Sequence, residues 1–496
     1  FLIWRDSCRP TCYPLFTAMT ECSRSDIPLC VDLDGTLIRT DLLWESLLAL
    51  VKRRPASVFW IPLWLLRGRA CLKDQIARRV QVDVASLPYN RDVIEYLRKE
   101  RQGGRELVLA TASHVDFARQ IAAHLGLFDG GVLGTTAARN LKGPAKLKAL
   151  QERCGSRGFD YIGDAHADLS VWAHANQALV VTDSPSLVSR VKEAAHVGHV
   201  FDRRRNRLRI IYKALRVHQW SKNVLILLPL ISSHQITNVS LSLAAMVAFV
   251  SFSLCASAVY VLNDCLDLEA DRRHPKKKDR PFASGELSIV AGLAMSLGCL
   301  TASFTLAALL PPTFLIVLAG YLALTTGYSL YLKSLVLVDV IVLAQLYTLR
   351  VYGGGAATGI VPSHWLLTFS LFVFLSLALM KRFTEIRLMS HSDRKDVFAR
   401  GYRTSDAEHI ASIGSSSGLI AVLVLALYIS SKEVLGLYSN PEYLWLVCPV
   451  MLYWISRAWM LTYRDRMEDD PVVFAVRDRN SYIVALFIGI ILAAAK

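Results

Sequence analysis

No CxxC pair and no histidine–cysteine ligand spacing occurs in this chain; its ten cysteines, Cys8, Cys12, Cys22, Cys30, Cys71, Cys154, Cys255, Cys265, Cys299 and Cys448, are scattered. That absence excludes a disulfide framework and a structural zinc site and points to a reducing compartment. No secretory signal is expected either, because FLIWRDSCRPTCYPLFTA sustains no apolar core. Residues 1–25 read instead as a tail, expected to be poorly ordered. Acids are the scarcer charge: 41 Asp and Glu against 56 Lys and Arg leave a formal charge of +15. In a soluble protein that balance suggests a nucleic-acid partner. Here the basic residues gather in particular inter-helix loops, where membrane topology accounts for them, so no nucleic acid is expected.

Charge is also unevenly absent. Through about residue 205 it is spread throughout; from about 223 onward, apolar runs of roughly twenty residues dominate, the length that crosses a bilayer core. A soluble α/β domain at 26–200, a basic connector at 201–222 and an all-α polytopic membrane domain at 223–496 are therefore expected. Nine spans are read near 223–237, 240–262, 288–310, 313–332, 334–353, 363–383, 411–431, 441–462 and 480–495. Loops near 263–287, 381–410 and 463–479, with Lys333, hold nearly all the Lys and Arg, whereas the alternate loops hold only Lys432. The positive-inside rule then puts the soluble domain in the cytoplasm and the carboxyl terminus outside.

In the soluble half, PLCVDLDGTL (28–37) is a β-rich run ending in two carboxylates, Asp32 and Asp34, with Gly35 permitting a tight turn. Such a pair suits a nucleophile and an acid/base at the carboxyl edge of a parallel sheet. ELVLATAS (106–113) is a second strand and carries Thr111, a hydroxyl able to hold a phosphoryl oxygen. NLKGPAKLKAL (140–150) brings Lys142 and Lys146 to a helix start, suited to neutralising a phosphoryl transition state. FDYIGDAHADLSVW (159–172) ends a further strand with Asp164 and Asp168, placed to hold Mg²⁺.

In this order and spacing the four segments resemble the haloacid dehalogenase phosphatase superfamily. The resemblance implies Asp32 as the phosphoryl-accepting nucleophile, Asp34 as general acid/base, Thr111 as phosphate ligand and Lys146, or else Lys142, as the electrostatic residue. It implies Mg²⁺ at Asp32 and Asp164, with Asp34 and Asp168 completing the acidic set, and a small cap between the first two motifs. VFWIPLWLLRGRACLKDQIARRV (58–80) lies there; it reads either as cap core or as a segment on the membrane interface, where Trp is favoured.

In the membrane half, NDCLDLEADRRHPKKKDRP follows the second apolar run. Asn263, Asp267 and Asp271 stand at i, i+4, i+8, along one face of a helix, with Asp264 beside them. Stacked acids repel, so the spacing suggests a cation, and Mg²⁺ keeps positions open for a diphosphate. The motif resembles the first aspartate motif of the UbiA superfamily of intramembrane prenyltransferases, and nine spans fit that fold. RVHQWSKNVLILLPL (216–230), YSLYLKSLVLVDV (328–340), LRVYGGGAA (349–357) and DDPVVFAVRDRNSY (469–482) bring it closest to decaprenyl-phosphate phosphoribosyltransferases.

That resemblance implies transfer of 5-phosphoribose from its diphosphate to a membrane lipid, a polyprenyl phosphate. Where aromatic prenyltransferases carry a second aspartate motif this chain reads KRFTEI, with Lys381, Arg382 and the single acid Glu385, then Asp393 and Asp396 further on. Direct cationic contacts are expected to replace one metal there. Lys222 and Lys333 are the first candidates to hold phosphates, Arg350, Lys381, Arg382 and Arg403 the weaker ones. Asp339, an intramembrane carboxylate, is a candidate by its location. The alternative is prenyl transfer from a polyprenyl diphosphate to an aromatic or other small acceptor; a transporter is disfavoured by acids clustered on one side. A homo-oligomer is compatible with the sequence.

Overall fold

The structure is a computed structural model describing residues 26–202, 206–390, 401–431, 434, 436, 438–467 and 471–496. The expected tail, Asp393, Asp396 and Lys432 lie outside the described residues. The chain divides into two compact units, which part between residues 205 and 206.

The amino-terminal unit runs β1 (Leu29–Val31), α1 (Leu42–Arg53), α2 (Ile61–Leu66), α3 (Arg69–Ala77), α4 (Arg91–Gln102), β2 (Leu107–His114), α5 (Val115–Leu125), β3 (Val132–Thr135), α6 (Pro144–Cys154), β4 (Asp160–Gly163), α7 (Leu169–Trp172), β5 (Ala178–Thr182), α8 (Pro185–Ala194) and β6 (Val197–Asp202). The strands form one parallel sheet in the order β3-β2-β1-β4-β5-β6. β1 and β4 are wholly buried runs, as strands covered on both faces must be. One face packs on Leu33, Leu97, Phe117 and Ile121, the other on Leu150, Tyr161, Trp172 and Val191. Leu29 pairs with both Leu107 and Asp160, so β1 lies between β2 and β4 and the strand order reverses there. The carboxyl ends of these three strands thus adjoin at the switch point where α/β sheets place their sites.

Residues 42–80 form a helical insertion between β1 and β2, at the place where the resemblance implies a cap. Asp41 starts α1, its carboxylate accepting the Leu43 and Trp44 N–H groups. Leu50, Trp64, Leu72, Ile76 and Val80 make a separate small core. Trp64 is cap core, whereas Phe59, Trp60, Leu63, Leu65 and Leu66 are exposed. The run from 58 to 66 is therefore partly buried in this small core and partly exposed.

The second unit is helical. After α9 (Arg207–Ala214) a 3₁₀ stretch, Val217–Leu227, leads to the short α10 (Leu228–Ser232). There follow α11 (Val239–Leu266), α12 (Leu268–Arg273), α13 (Ile289–Ala307), α14 (Pro312–Leu330), α15 (Val338–Thr358), α16 (His364–Ser390), α17 (Ala407–Ile429), Val447–Tyr463, Pro471–Arg477 and Arg479–Ala495. Six helices among the described residues are long and apolar enough to cross a membrane: Val239–Leu266, Ile289–Ala307, Pro312–Leu330, His364–Leu388, Thr404–Ile429 and Pro441–Tyr463. Of the other three expected spans, 223–237 falls on the 3₁₀ stretch and α10, α15 carries the buried Asp339 and Arg350, and Arg479–Ala495 has 17 residues.

α11 packs on α13 and α15, and α16 on α15 and α17. Phe252, Phe314, Tyr321 and Leu346 fill the first junction; Leu379, Phe383 and Trp459 fill the second. The 3₁₀ stretch lies directly on α15: a Cβ on Gly354 would stand 1.9 Å from the Ile226 carbonyl oxygen. Glycine there lets the two backbones meet.

Candidate functional site

At the switch point Asp32 leaves β1, Asp164 leaves β4 and Lys146 enters from the first turn of α6. Lys146 Nζ stands 3.0 Å from Asp32 Oδ2 and 3.3 Å from Asp168 Oδ1, and donates to the Tyr161 hydroxyl at 2.8 Å. Tyr161 donates in turn to Asp168 Oδ1 at 3.0 Å. Lys146 is 2 % exposed, so all three ammonium donors work inside the protein. Burial alone would lower its pKa, but Asp32 and Asp168 push it up to about 12. Lys142, ahead of α6, is exposed, so Lys146 is the inward-facing one of the two candidates.

Burial raises the Asp32 carboxyl well above the carboxylate range, with Lys146 opposing it. Asp34 is turned away from that cluster. It accepts the Leu42 N–H at 2.9 Å, the Ser113 hydroxyl at 2.6 Å and the Thr111 hydroxyl at 3.4 Å. Burial and then Asp41 push it to about 6 against those donors. A carboxyl poised there can hold or release a proton near neutrality, as an acid/base requires.

Asp32, Asp164 and Asp168 each present an oxygen within 4.8 Å of the others; Asp34 is not in that group. Gly35 has φ +75°, and a Cβ there would lie 2.0 Å from Asp164 Oδ2, so only glycine leaves that carboxylate its place. An all-oxygen, strongly anionic donor set of this size fits a hard divalent cation.

Three contributors escaped the sequence reading. Ser113 closes on Asp34, and Tyr161 joins Lys146 to Asp168. From the cap, Lys73 Nζ donates to the Ala112 carbonyl at 2.6 Å and to Asn140 Oδ1 at 2.9 Å. Lys73 fastens α3 to the end of β2; in the basic run around it, nothing marks it as inward-facing.

In the second unit the acidic motif is broken rather than continuous. α11 stops at Leu266 and α12 begins at Leu268, with Asp267 at the junction in a non-helical conformation. The i→i+4 backbone bonds persist, Asp267 N–H to Asn263 and Asp271 N–H to Asp267. Each carboxylate meets a cation. Asp264 accepts Arg216 and, at 3.0 Å, Arg280. Arg280 also holds Asp271 at 2.6 Å. Lys333 stands 3.5 Å from Asp267, and Asn263 donates to Ser329 at 2.8 Å. Asp264 and Asp271 are buried and Asp267 half-buried. Among the described residues these acids do not form a three-carboxylate group within 4.8 Å. Their donor chemistry suits a divalent cation, and Arg216 and Arg280 stand where its charge would act. Neither arginine is marked by spacing.

The remaining candidates separate. Arg382 is 1 % exposed and lies 2.9 Å from Asp339 Oδ2, with Glu385 on its other side. Tyr402 donates to Asp339 Oδ1 at 2.6 Å. Arg350 donates to Asn223 at 2.7 Å and to the Tyr321 hydroxyl at 2.9 Å, buried between the rings of Tyr321 and Tyr347. Both arginines therefore sit in internal networks. Lys381 is half-buried, and Arg403 is exposed. Lys222 lies at an apolar cavity of about 830 Å³ lined by Leu225, Phe369, Phe374, Trp454 and Ile488.

Comparison with known proteins agrees with this division. Residues 225–488 match the UbiA prenyltransferase family, and residues 29–173 match haloacid dehalogenase-like hydrolase. The uncharacterised protein y4nM of Sinorhizobium fredii is 37% identical over 479 residues, 96% of this chain and 91% of that protein. The nodulation protein NoeC of Azorhizobium caulinodans is 34% identical over 277 residues, 55% of this chain and 89% of its own. The decaprenyl-phosphate phosphoribosyltransferase of Mycobacterium tuberculosis is 29% identical over 282 residues, 56% of this chain and 90% of that one.

Proposed function

This chain belongs to the UbiA prenyltransferase family, with a haloacid dehalogenase-like hydrolase domain ahead of its membrane helices, and from that premise we propose that it moves 5-phosphoribose from 5-phosphoribosyl diphosphate to a polyprenyl phosphate. The observation that carries this reading is the ring of cations around the acidic motif. Arg216, Arg280 and Lys333 accompany Asp264, Asp267 and Asp271, and a donor bearing a diphosphate and a separate 5-phosphate needs positive charge beyond one metal. The apolar cavity beside Lys222 suits a polyprenyl chain whose phosphate meets the ammonium group.

Asn263, Asp267 and Asp271 would hold Mg²⁺, which when bound neutralises the departing diphosphate. Lys333 and Arg280 add fixed positive charge on the same side, and Lys222 orients the lipid phosphate. An oxygen of that phosphate bonds to the anomeric carbon as the bond from that carbon to the diphosphate breaks; no protein nucleophile is needed. Arg350 and Arg382 act as braces within the helix bundle rather than as phosphate ligands. The three shorter or more polar segments complete nine crossings, and the basic loops place the active sites on the cytoplasmic side of the plasma membrane.

In the amino-terminal domain Asp32 attacks a phosphate monoester, Asp34 protonates the leaving alcohol, Thr111 holds a phosphoryl oxygen, Lys146 offsets the charge that develops, and water then releases phosphate. Asp32, Asp164 and Asp168 would hold Mg²⁺ there. The monoester we assign is the 5-phosphate of the ribosylated lipid.

The test is an assay of purified full-length protein with labelled 5-phosphoribosyl diphosphate, with and without polyprenyl phosphate. Label should enter the lipid fraction only with both. Asp267→Asn should abolish transfer and leave the protein folded, because it weakens cation binding while giving up only a half-exposed ion pair with Lys333. Wild-type turnover by that variant removes the metal role of the motif. Use of isoprenyl diphosphates with aromatic acids, and not of the ribosyl donor, replaces the substrate assignment.

A further inference from the structure

The cap carries a surface its own packing does not explain. Phe59 is 84% exposed, Leu66 85%, Trp60 55% and Leu65 50%, all within eight residues. A monomeric soluble surface seldom gathers so much apolar side chain in one short segment without a partner. Its own core does not require them, since Trp64 alone supplies the large inward contact, beneath Arg79.

The charge pattern says what the partner is. Between Glu45 and Asp74 there is no acid, while Lys52, Arg53, Arg54, Arg67, Arg69 and Lys73 lie in that interval. Lys73 points inward; the other five are exposed and bracket the apolar tip on both sides. A second copy or a helical partner is not specially served by cations on either flank. An anionic lipid surface is: aromatic and leucine side chains enter the acyl boundary as Lys and Arg meet the phosphates. The same chain carries six helices able to cross a membrane, so a bilayer is tethered to this tip at high effective concentration.

We propose that the cap tip, Pro55–Leu66, docks on the surface of an anionic bilayer with Phe59, Trp60 and Leu66 inserted among the lipids. The inference stands whichever phosphate monoester the domain hydrolyses.

The experiment uses the full chain in nanodiscs of phosphatidylcholine with or without phosphatidylglycerol. Phe59 is replaced by photo-cross-linking p-benzoylphenylalanine, with the same probe at the exposed Glu193 on α8 as control. Irradiation should attach lipid at position 59 about tenfold more than at 193, and more with phosphatidylglycerol than without. With the probe at Trp60, Phe59→Glu combined with Leu66→Glu should bring lipid attachment down to the control; both side chains are exposed, and an unchanged melting temperature verifies folding. Equal labelling at 59 and 193, an adduct of two chains, or an adduct confined to the chain's own peptides overturns the proposal.

Discussion

Two lysines four residues apart, Lys142 ahead of α6 and Lys146 in its first turn, show how burial selects among equals. Lys146 holds Asp32, Asp168 and Tyr161 in a buried knot, while Lys142 faces water. Lys146→Ala leaves buried carboxylates without their cation and should destabilise the amino-terminal unit by about 3–5 kcal/mol. Lys142→Ala should fall within about 0.5 kcal/mol of wild type. Thermal unfolding of the two variants compares them directly. Asp34 offers a pH test. Its pKa in the folded protein is raised to about 6, so ionising it opposes folding. The stability it allows is fully present below about pH 4 and is lost as pH rises through about 6. Asp34→Asn cannot ionise. Near neutrality it should protect β1 and β2 against hydrogen exchange more than wild type does, by roughly 3 kcal/mol at most, with the difference closing as pH falls toward 4. Equal protection at neutral pH would mean Asp34 is not strained by burial.

At the scale of elements, the legible features were those carried by local pattern. β1 and β4 are short apolar runs followed at once by Asp32 and Asp164, and β2 carries Thr111 within it, so these residues could be assigned to neighbouring strands from sequence. Ser113, Tyr161 and Lys73 could not, because their roles depend on tertiary neighbours: Lys73 reaches Ala112 and Asn140 from a separate cap helix. The long apolar helices were equally plain, yet the break at Asp267 was hidden, since i, i+4 spacing survives in the backbone bonds on both sides of it. RVHQWSKNVLILLPL has apolar length, but its residues from 217 to 227 fold as a 3₁₀ stretch whose buried Asn223 receives Arg350. That stretch meets α15 backbone to backbone at Gly354. Gly354→Ala forces a methyl group into the Ile226 carbonyl and should cost about 1–3 kcal/mol or more. Gly298→Ala on α13 has open space and better helix propensity, so it should be neutral or slightly stabilising. Melting of the two purified variants in detergent decides the matter; equal losses would mean that the helix, not the close approach, sets the requirement.

For the whole molecule, the question is why a haloacid dehalogenase-like hydrolase domain and a UbiA family domain share one chain. The lipid product we propose bears a phosphate monoester, the group we also propose that Asp32, Asp34, Lys146 and the acidic cluster act on. That product keeps a long polyprenyl tail and so stays in the bilayer. A tethered phosphatase then meets it at an effective concentration that a free enzyme would not reach. Coupled action makes a specific forecast: given the ribosyl diphosphate and polyprenyl phosphate, wild type should yield ribosyl lipid without its 5-phosphate. Asp32→Asn should accumulate the 5-phosphorylated lipid, with the rate of transfer unchanged. Separating the lipid products by mass spectrometry reads both quantities in one reaction. If wild type and Asp32→Asn stop at the same phosphorylated lipid, the hydrolase domain acts on some other monoester, and the fusion does not join consecutive steps. If Asp32→Asn also slows the transfer itself, the first domain supports the second by some route other than dephosphorylation. Only accumulation at full transfer rate assigns the two domains successive reactions on one lipid.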